Sequence, residues 1–297
     1  MTRTLICAAP VGDRCGEGAV WSADEEALYW TDITRFLIHR YDEATEAVRS
    51  WLFDEPVVAV SLTQVTGRLL VALGSKLIYW WPATNRREDH GFMLPGSPRV
   101  RLNDGRADPA GNFWVGSMKN NVLPNGEAGD VGPGEGLLFR ITPDGAATVW
   151  REGLGISNTL CWSPDHKTFY FADTLANEIY AFDYNLAESS ISGERSFFAG
   201  FDRGAPDGSA IDSEGFVWNC RFGGGCIMRI APDGRAAEVV EMPVTNVTTC
   251  TFGGADLKTL YITTATAGPD ERLAGSLFAL NVQVPGLPEN RYGKTTS

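Results

Sequence analysis

A two-strand phrase returns six times along this chain, and a chain that repeats at such a period has few folds open to it. Its first half is a turn followed by a β-branched or aromatic run: Glu25–Asp32, Thr66–Ala72, Ala110–Gly116, Asp165–Ala172, Glu214–Asn219 and Leu257–Thr263. The centres of these runs lie roughly 40 to 56 residues apart, the length of one four-stranded propeller blade. Its second half is another strand-like run after a short gap: Phe36–Tyr41, Lys76–Trp80, Gly136–Ile141, Glu178–Phe182, Cys226–Ile230 and Ser276–Leu280. Several of these lead straight into turn signals such as Thr142-Pro-Asp-Gly145 and Ala231-Pro-Asp-Gly234, which suits hairpins at an outer rim. A β-sandwich of similar length gives no reason for the phrase to recur. The expected fold is all-β: a six-bladed β-propeller with four-stranded antiparallel blades, as one domain over residues 1–297. No amphipathic helix interrupts the pattern, and 33 Gly with 16 Pro suit short strands joined by many turns. Residues 119–134 break the repeat with a Gly-, Asn- and Pro-containing insertion, expected to be a loop in the third blade that overhangs the channel mouth.

Charge and composition narrow the function. A net charge of −12 with scattered Lys and Arg argues against a nucleic-acid partner. With no apolar run of membrane-spanning length, and a start too weakly apolar for a signal peptide, no membrane partner and a cytoplasmic location are expected. The six cysteines show no Cys-x-x-Cys pair and suit free thiols in a reducing compartment. Only three histidines occur, so a His-based triad or a His-rich metal centre is disfavoured, and a metal site must be built from oxygen ligands.

Five phrases carry polar groups that the pattern sets just before the strand of one blade. They are Cys15–Trp21, Arg101–Arg106, Ile156–Trp162, Pro206–Asp212 and Thr248–Gly254. Gathered by a ring, Glu17, Asn158 and Asp207 supply two charged oxygen ligands and one neutral one, a set suited to calcium, magnesium or manganese and tolerable for zinc or iron(II). Taken singly, Glu17-Gly18, Asn103-Asp104-Gly105 and Asp207-Gly208 also suit ordinary turns. Trp21, Trp114, Trp162 and Trp218 recur at strand positions, where packing between blades accounts for them better than sugar stacking.

Several of these phrases, in the same order, resemble the senescence-marker-protein, regucalcin and gluconolactonase family. The likeness runs from Gly16-Glu-Gly-Ala-Val-Trp21 through Arg101-Leu-Asn-Asp-Gly-Arg106 and Phe169-Tyr-Phe-Ala-Asp-Thr174 to Leu260-Tyr-Ile-Thr-Thr-Ala265. It implies a six-bladed propeller with one divalent ion (calcium, zinc, manganese or iron(II)) held by Glu17, Asn158 and Asp207. It also implies Arg101 and Asn103 on substrate oxygens, with Asn121 where some relatives carry a Glu for the substrate hydroxyls. The implied activity is metal-assisted hydrolysis of a sugar-acid lactone, an aldonolactone such as glucono-, xylono- or arabinonolactone or else an aldarolactone, with Asp207 accepting the proton of the attacking water. One departure stands out: the family phrase usually reads Ser-Asn-Gly-Leu, whereas this chain has Ser157-Asn-Thr-Leu160.

Three further roles remain open at this level: a regucalcin-like calcium-binding regulator, an aryl-ester or organophosphate hydrolase, and a protein-interaction platform. The second leans on channel histidines, which the site phrases lack. Arg106, Lys119 and Arg221 are candidates for positive charge at the channel mouth, which would favour a lactone with a second carboxylate. A monomer or weak homodimer is expected.

Overall fold

The recurring phrases become the second and third strands of six antiparallel four-stranded sheets. The structure, a computed structural model, describes residues 4–123, 125, 127–268 and 270–294. Among these there is no helix, and hence none long and apolar enough to cross a membrane. The innermost strands of blades 1 to 6 are Gly16–Ser22, Val57–Leu62, Val100–Ala107, Ser157–Trp162, Ala205–Ile211 and Asn246–Gly253. They touch one another in cyclic order, the sixth against the first, and so enclose a central channel.

Closure of the ring draws on both ends of the chain. The sixth blade takes its outermost strand, Leu5–Ala9, from the start of the sequence, paired antiparallel with Leu277–Asn281. Splitting one sheet between the two ends leaves no unpaired strand edge at the seam. At the other end, residues 285–293 cross one mouth of the channel. There Gly286 bridges Asp212, Asn290 Nδ2 donates to the Ala107 carbonyl, and Tyr292 bridges Thr63. Beneath the ring centre, Thr251 donates to Glu289 at 2.6 Å, and Arg106 pairs with the same carboxylate at 3.6 Å. That mouth is covered, so the site opens at the opposite end, where the inner strands begin.

Each inner strand is irregular near its start, and this corrects the expectation that the polar groups precede the strands. They lie inside them. In five blades two residues stand opposite one on the neighbouring strand: Gly18-Ala19, Asn103-Asp104, Thr159-Leu160, Asp207-Gly208 and Thr248-Thr249. A bulge of this kind bends the strand and re-aims its side chains. The second blade shifts by one residue at Val58 and carries only apolar residues there. Close approach between inner strands leaves little room: a Cβ at Gly208 would fall 2.0 Å from Thr249 Oγ1.

Aromatic packing joins the blades, as expected for three of the four tryptophans singled out. Trp114 lies 5.2 Å from Phe169 of the next blade, Trp21 stacks on Tyr261 across the seam at 5.6 Å, and Trp218 meets Phe252 edge-on. Trp162 instead packs on Phe169 and Tyr184 of its own blade. Several indoles are anchored by buried acids. Asp108 receives Trp114 Nε1 at 2.8 Å, the Tyr184 hydroxyl at 2.8 Å, the Ser189 hydroxyl and the Asn112 backbone N–H, tying blade 3 to blade 4. Asp212 serves Trp218 and Arg229 likewise. The six cysteines form no disulfide.

Removing the Asp108 carboxylate leaves several buried donors unpaired across that seam, an expected loss of about 3 kcal/mol. In calorimetry Asp108→Ala should therefore melt roughly 6–12 °C below the wild type. A shift under about 2 °C would mean that these bonds do not hold the two blades together.

Candidate active site in the propeller channel

The acid that ends the repeated phrase fixes the approach to the inner strand. Asp32 accepts the backbone N–H of Arg14 at 2.9 Å and of Cys15 at 3.2 Å, two residues before Glu17. Asp173 does the same for Gly155 at 2.9 Å and Ile156 at 3.1 Å, two residues before Asn158. The strand-ending carboxylates thus set where two of the candidate ligands begin.

Hydrogen bonds then run through the site residues in one direction. Arg101 donates from Nε and Nη2 to the Asn121 side-chain oxygen, at 3.1 and 2.8 Å, and from Nη1 to Asn103 Oδ1 at 2.7 Å and the Leu102 carbonyl at 2.9 Å. With its oxygen taken, Asn103 turns its Nδ2 to the Ser157 carbonyl at 2.9 Å and Asn158 Oδ1 at 3.2 Å. Asn158 Nδ2 donates to Thr174 Oγ1 at 2.8 Å, and Thr174 donates to the Pro206 carbonyl beside Asp207. The Asn158 amide is thereby oriented with its nitrogen spent on Thr174 and its oxygen toward Asn103.

Glu17 and Asp207 are neighbouring buried carboxyl groups, and the charge of Asp207 bears directly on Glu17. Burial, then the charges of neighbouring acids, holds both carboxyl groups well above the usual carboxylate range. Asp104 lies within reach of both charges and is itself raised by burial, although Arg106 opposes the shift. Burial pulls the Arg101 guanidinium down to about 10, while Cys15 and Glu17 push it back up. The Cys15 thiol is pushed well up by burial and then by Glu17 and Asp207, which keeps it in the thiol form.

These observations test the fit of a divalent ion. Two buried carboxyl groups whose charges repel each other make an acceptor-rich site, and a cation gives both a counter-charge. With the Asn158 amide oxygen the donor set is all oxygen, which suits a hard cation. Among the described residues no cluster of three His, Cys, Asp or Glu forms a metal site, so a set made only of those residue types is not available.

Beside Arg101 and Asn121 opens a cavity of about 450 Å³, whose lining also includes Arg14, Cys15, Glu127 and Phe222. Asn121, Val122, Glu127 and Ala128 come from the third-blade insertion, which forms a small turn closed by a Val122–Ala128 bridge. Pro124 and Gly126 of that insertion lie outside the described residues. Arg14 and Glu127 went unmarked by sequence pattern: the first stands just ahead of the Cys15 phrase, and the second sits in a loop without periodicity. Two of the three cations expected at the mouth are committed to other partners. Arg106 points down the channel, donating to the Ser209 carbonyl and pairing with Glu289. Arg221 is spent on the Gly204 carbonyl at 2.7 Å and Asn177 at 2.7 Å, and Lys119 lies against Gly132.

Thr159 explains the departure from Ser-Asn-Gly-Leu in part. Its φ is 55°, in the left-handed region that glycine adopts freely and a β-branched residue adopts at a cost of about 1–3 kcal/mol.

Comparison with known proteins agrees with this architecture. Pentonolactonase XacC from Haloferax volcanii is 36% identical over 289 residues, 94% of each chain. A 6-deoxy-6-sulfogluconolactonase from Pseudomonas putida is 35% identical, over 97% of this chain and 98% of that one. Among solved structures, the calcium-binding protein regucalcin from Agrobacterium tumefaciens superposes with a TM-score of 0.89 at 26% identity, covering 97% of this chain and 96% of that one. Residues 15–266 match the family described as the SMP-30/Gluconolactonase/LRE-like region, and the chain belongs to that family.

Proposed function

We propose that this protein is a lactonase that hydrolyses a sugar-acid lactone with one divalent cation held by Glu17, Asn158 and Asp207. The observation that carries this is the pair of buried acids, Glu17 and Asp207, with Asn158 joined through Asn103 to Arg101 in the wall of a cavity. Relatives named as lactonases, at about one-third identity over nearly the full chain, support the reaction class.

A divalent ion supplies polarisation of the lactone carbonyl and a more acidic water. The chain supplies the rest. Asp207 takes the proton of the attacking water as the new C–O bond forms, and returns it to the ring oxygen when the lactone C–O bond breaks. Arg101 spends four of its N–H donors on Asn121, Asn103 and the Leu102 carbonyl, which leaves one of a guanidinium's five for a substrate oxygen. Asn103 orients Asn158, and with Arg101 it bounds the substrate's side of the site. Aldonolactones are the favoured class. An anionic lactone is the finer alternative, favoured by Arg14 beside Arg101 in the cavity lining.

The direct test is acid release from a panel of aldono- and aldaro-lactones after chelation and after return of calcium, manganese, zinc or iron(II). Chelation should reduce release to the spontaneous rate and a divalent ion should restore it. Asp207→Asn should lower kcat/KM by at least about 100-fold. Metal binding without acid release on any lactone would favour a regucalcin-like binding protein instead. Arg101→Lys keeps the charge but loses the planar fork that holds Asn121 and Asn103, and should cost roughly 10- to 100-fold in kcat/KM. Wild-type kinetics in that variant would remove Arg101 from the substrate side of the site.

A further inference from the structure

Thr159 is fully buried and strained, yet its hydroxyl is the most connected small group beside the candidate ligands. Its Oγ1 donates to the backbone carbonyl of Asp207, lies 3.0 Å from Ser209 Oγ and accepts from Asn219 Nδ2 at 3.3 Å. Asn219 Nδ2 also reaches the Asp207 carbonyl at 3.2 Å and Ser209 Oγ at 3.0 Å, and its own oxygen accepts from Arg221. Thr159, Asp207, Ser209 and Asn219 therefore form one closed cluster, with every member buried. A single hydroxyl thus ties the fourth blade to the fifth between Asn158 and Asp207.

From this geometry we propose that Thr159 is a positioning residue whose hydroxyl locks the fourth-blade ligand, Asn158, to the fifth-blade ligand, Asp207, and so sets the cation site. A glycine would hold the same backbone angle without strain but would supply none of these bonds. The strained residue is thus tolerated where its hydroxyl spans the gap between two ligand-bearing bulges. The neighbouring link through Thr174 holds the Pro206 carbonyl, one residue away, so the two hydroxyls grip consecutive peptides of the same bulge. This rests on the assignment of Glu17, Asn158 and Asp207 as cation ligands.

The test is calorimetric titration of manganese and of calcium into the metal-stripped wild type and into Thr159→Ser, Thr159→Val and Thr159→Gly, with melting temperature and kinetics alongside. Thr159→Gly relieves the backbone angle and keeps a foldable variant in the set, whatever Thr159→Val does. Thr159→Ser should bind within about 3-fold of the wild type, because it keeps the hydroxyl, whereas Thr159→Gly and Thr159→Val should bind about 10-fold or more weakly. At saturating metal the same two variants should show reduced kcat with little change in KM. Folded Thr159→Gly that binds as tightly as the wild type would overturn the proposal and reduce the hydroxyl to packing. A wild type that binds neither ion would overturn the ligand assignment itself, and the proposal with it.

Discussion

Everything at the channel follows from one backbone irregularity repeated around the ring. In a regular strand successive side chains alternate between faces, and an inner strand would send its polar residues into the seams between blades. Two residues opposite one, near the start of five inner strands, break that alternation just where Asn103, Asp207 and the residues flanking Glu17 and Asn158 sit. Gly18, at a φ of 57°, and Thr159, at 55°, show what the bulges demand of the backbone. The second blade makes the contrast plain, since its inner strand is apolar but for Ser61 and supplies no candidate ligand.

That arrangement gathers acids at buried positions, which is unfavourable until something positive joins them. Arg101 is a cation close enough for Glu17 to act on its charge, but its guanidinium is committed mostly to orienting amides. Its effect is geometric: it takes the Asn103 oxygen, which turns the Asn103 nitrogen to Asn158, whose own nitrogen is held by Thr174. Glu17 and Asp207 are left as neighbouring buried acids, each held above the usual carboxylate range by burial, a state that a hard cation relieves. Stability elsewhere is arranged independently. Buried Asp108 and Asp212 bind indole and hydroxyl donors at the opposite ends of the strands, and the segment 285–293 covers the far mouth.

Much of the fold was legible because its period is long and its strands are short. The two runs of each repeat became the second and third strands of each blade, and the site phrases became inner strands. What stayed hidden depends on distant parts of the chain meeting. Leu5–Ala9 looks like any opening strand, and only closure of the ring makes it the outer edge of the last blade. The bulges were invisible because Asn103-Asp104-Gly105 and Asp207-Gly208 read locally as turns, and the pairing that makes them bulges lies on the adjacent strand. Arg106 and Arg221 were expected at the mouth because charge alone carries no direction; the partners that bury them, Glu289 and the Gly204 carbonyl, come from other segments.

In the proposed site Glu17, Asn158 and Asp207 hold one divalent ion at the open end of the channel. Crystals grown with manganese and measured at its absorption edge test this most directly. The account predicts a single strong anomalous peak within about 2.0–2.6 Å of an oxygen from each of the three side chains, and its loss in Glu17→Gln. A peak held by other residues, or none in the channel at saturating manganese, would contradict it.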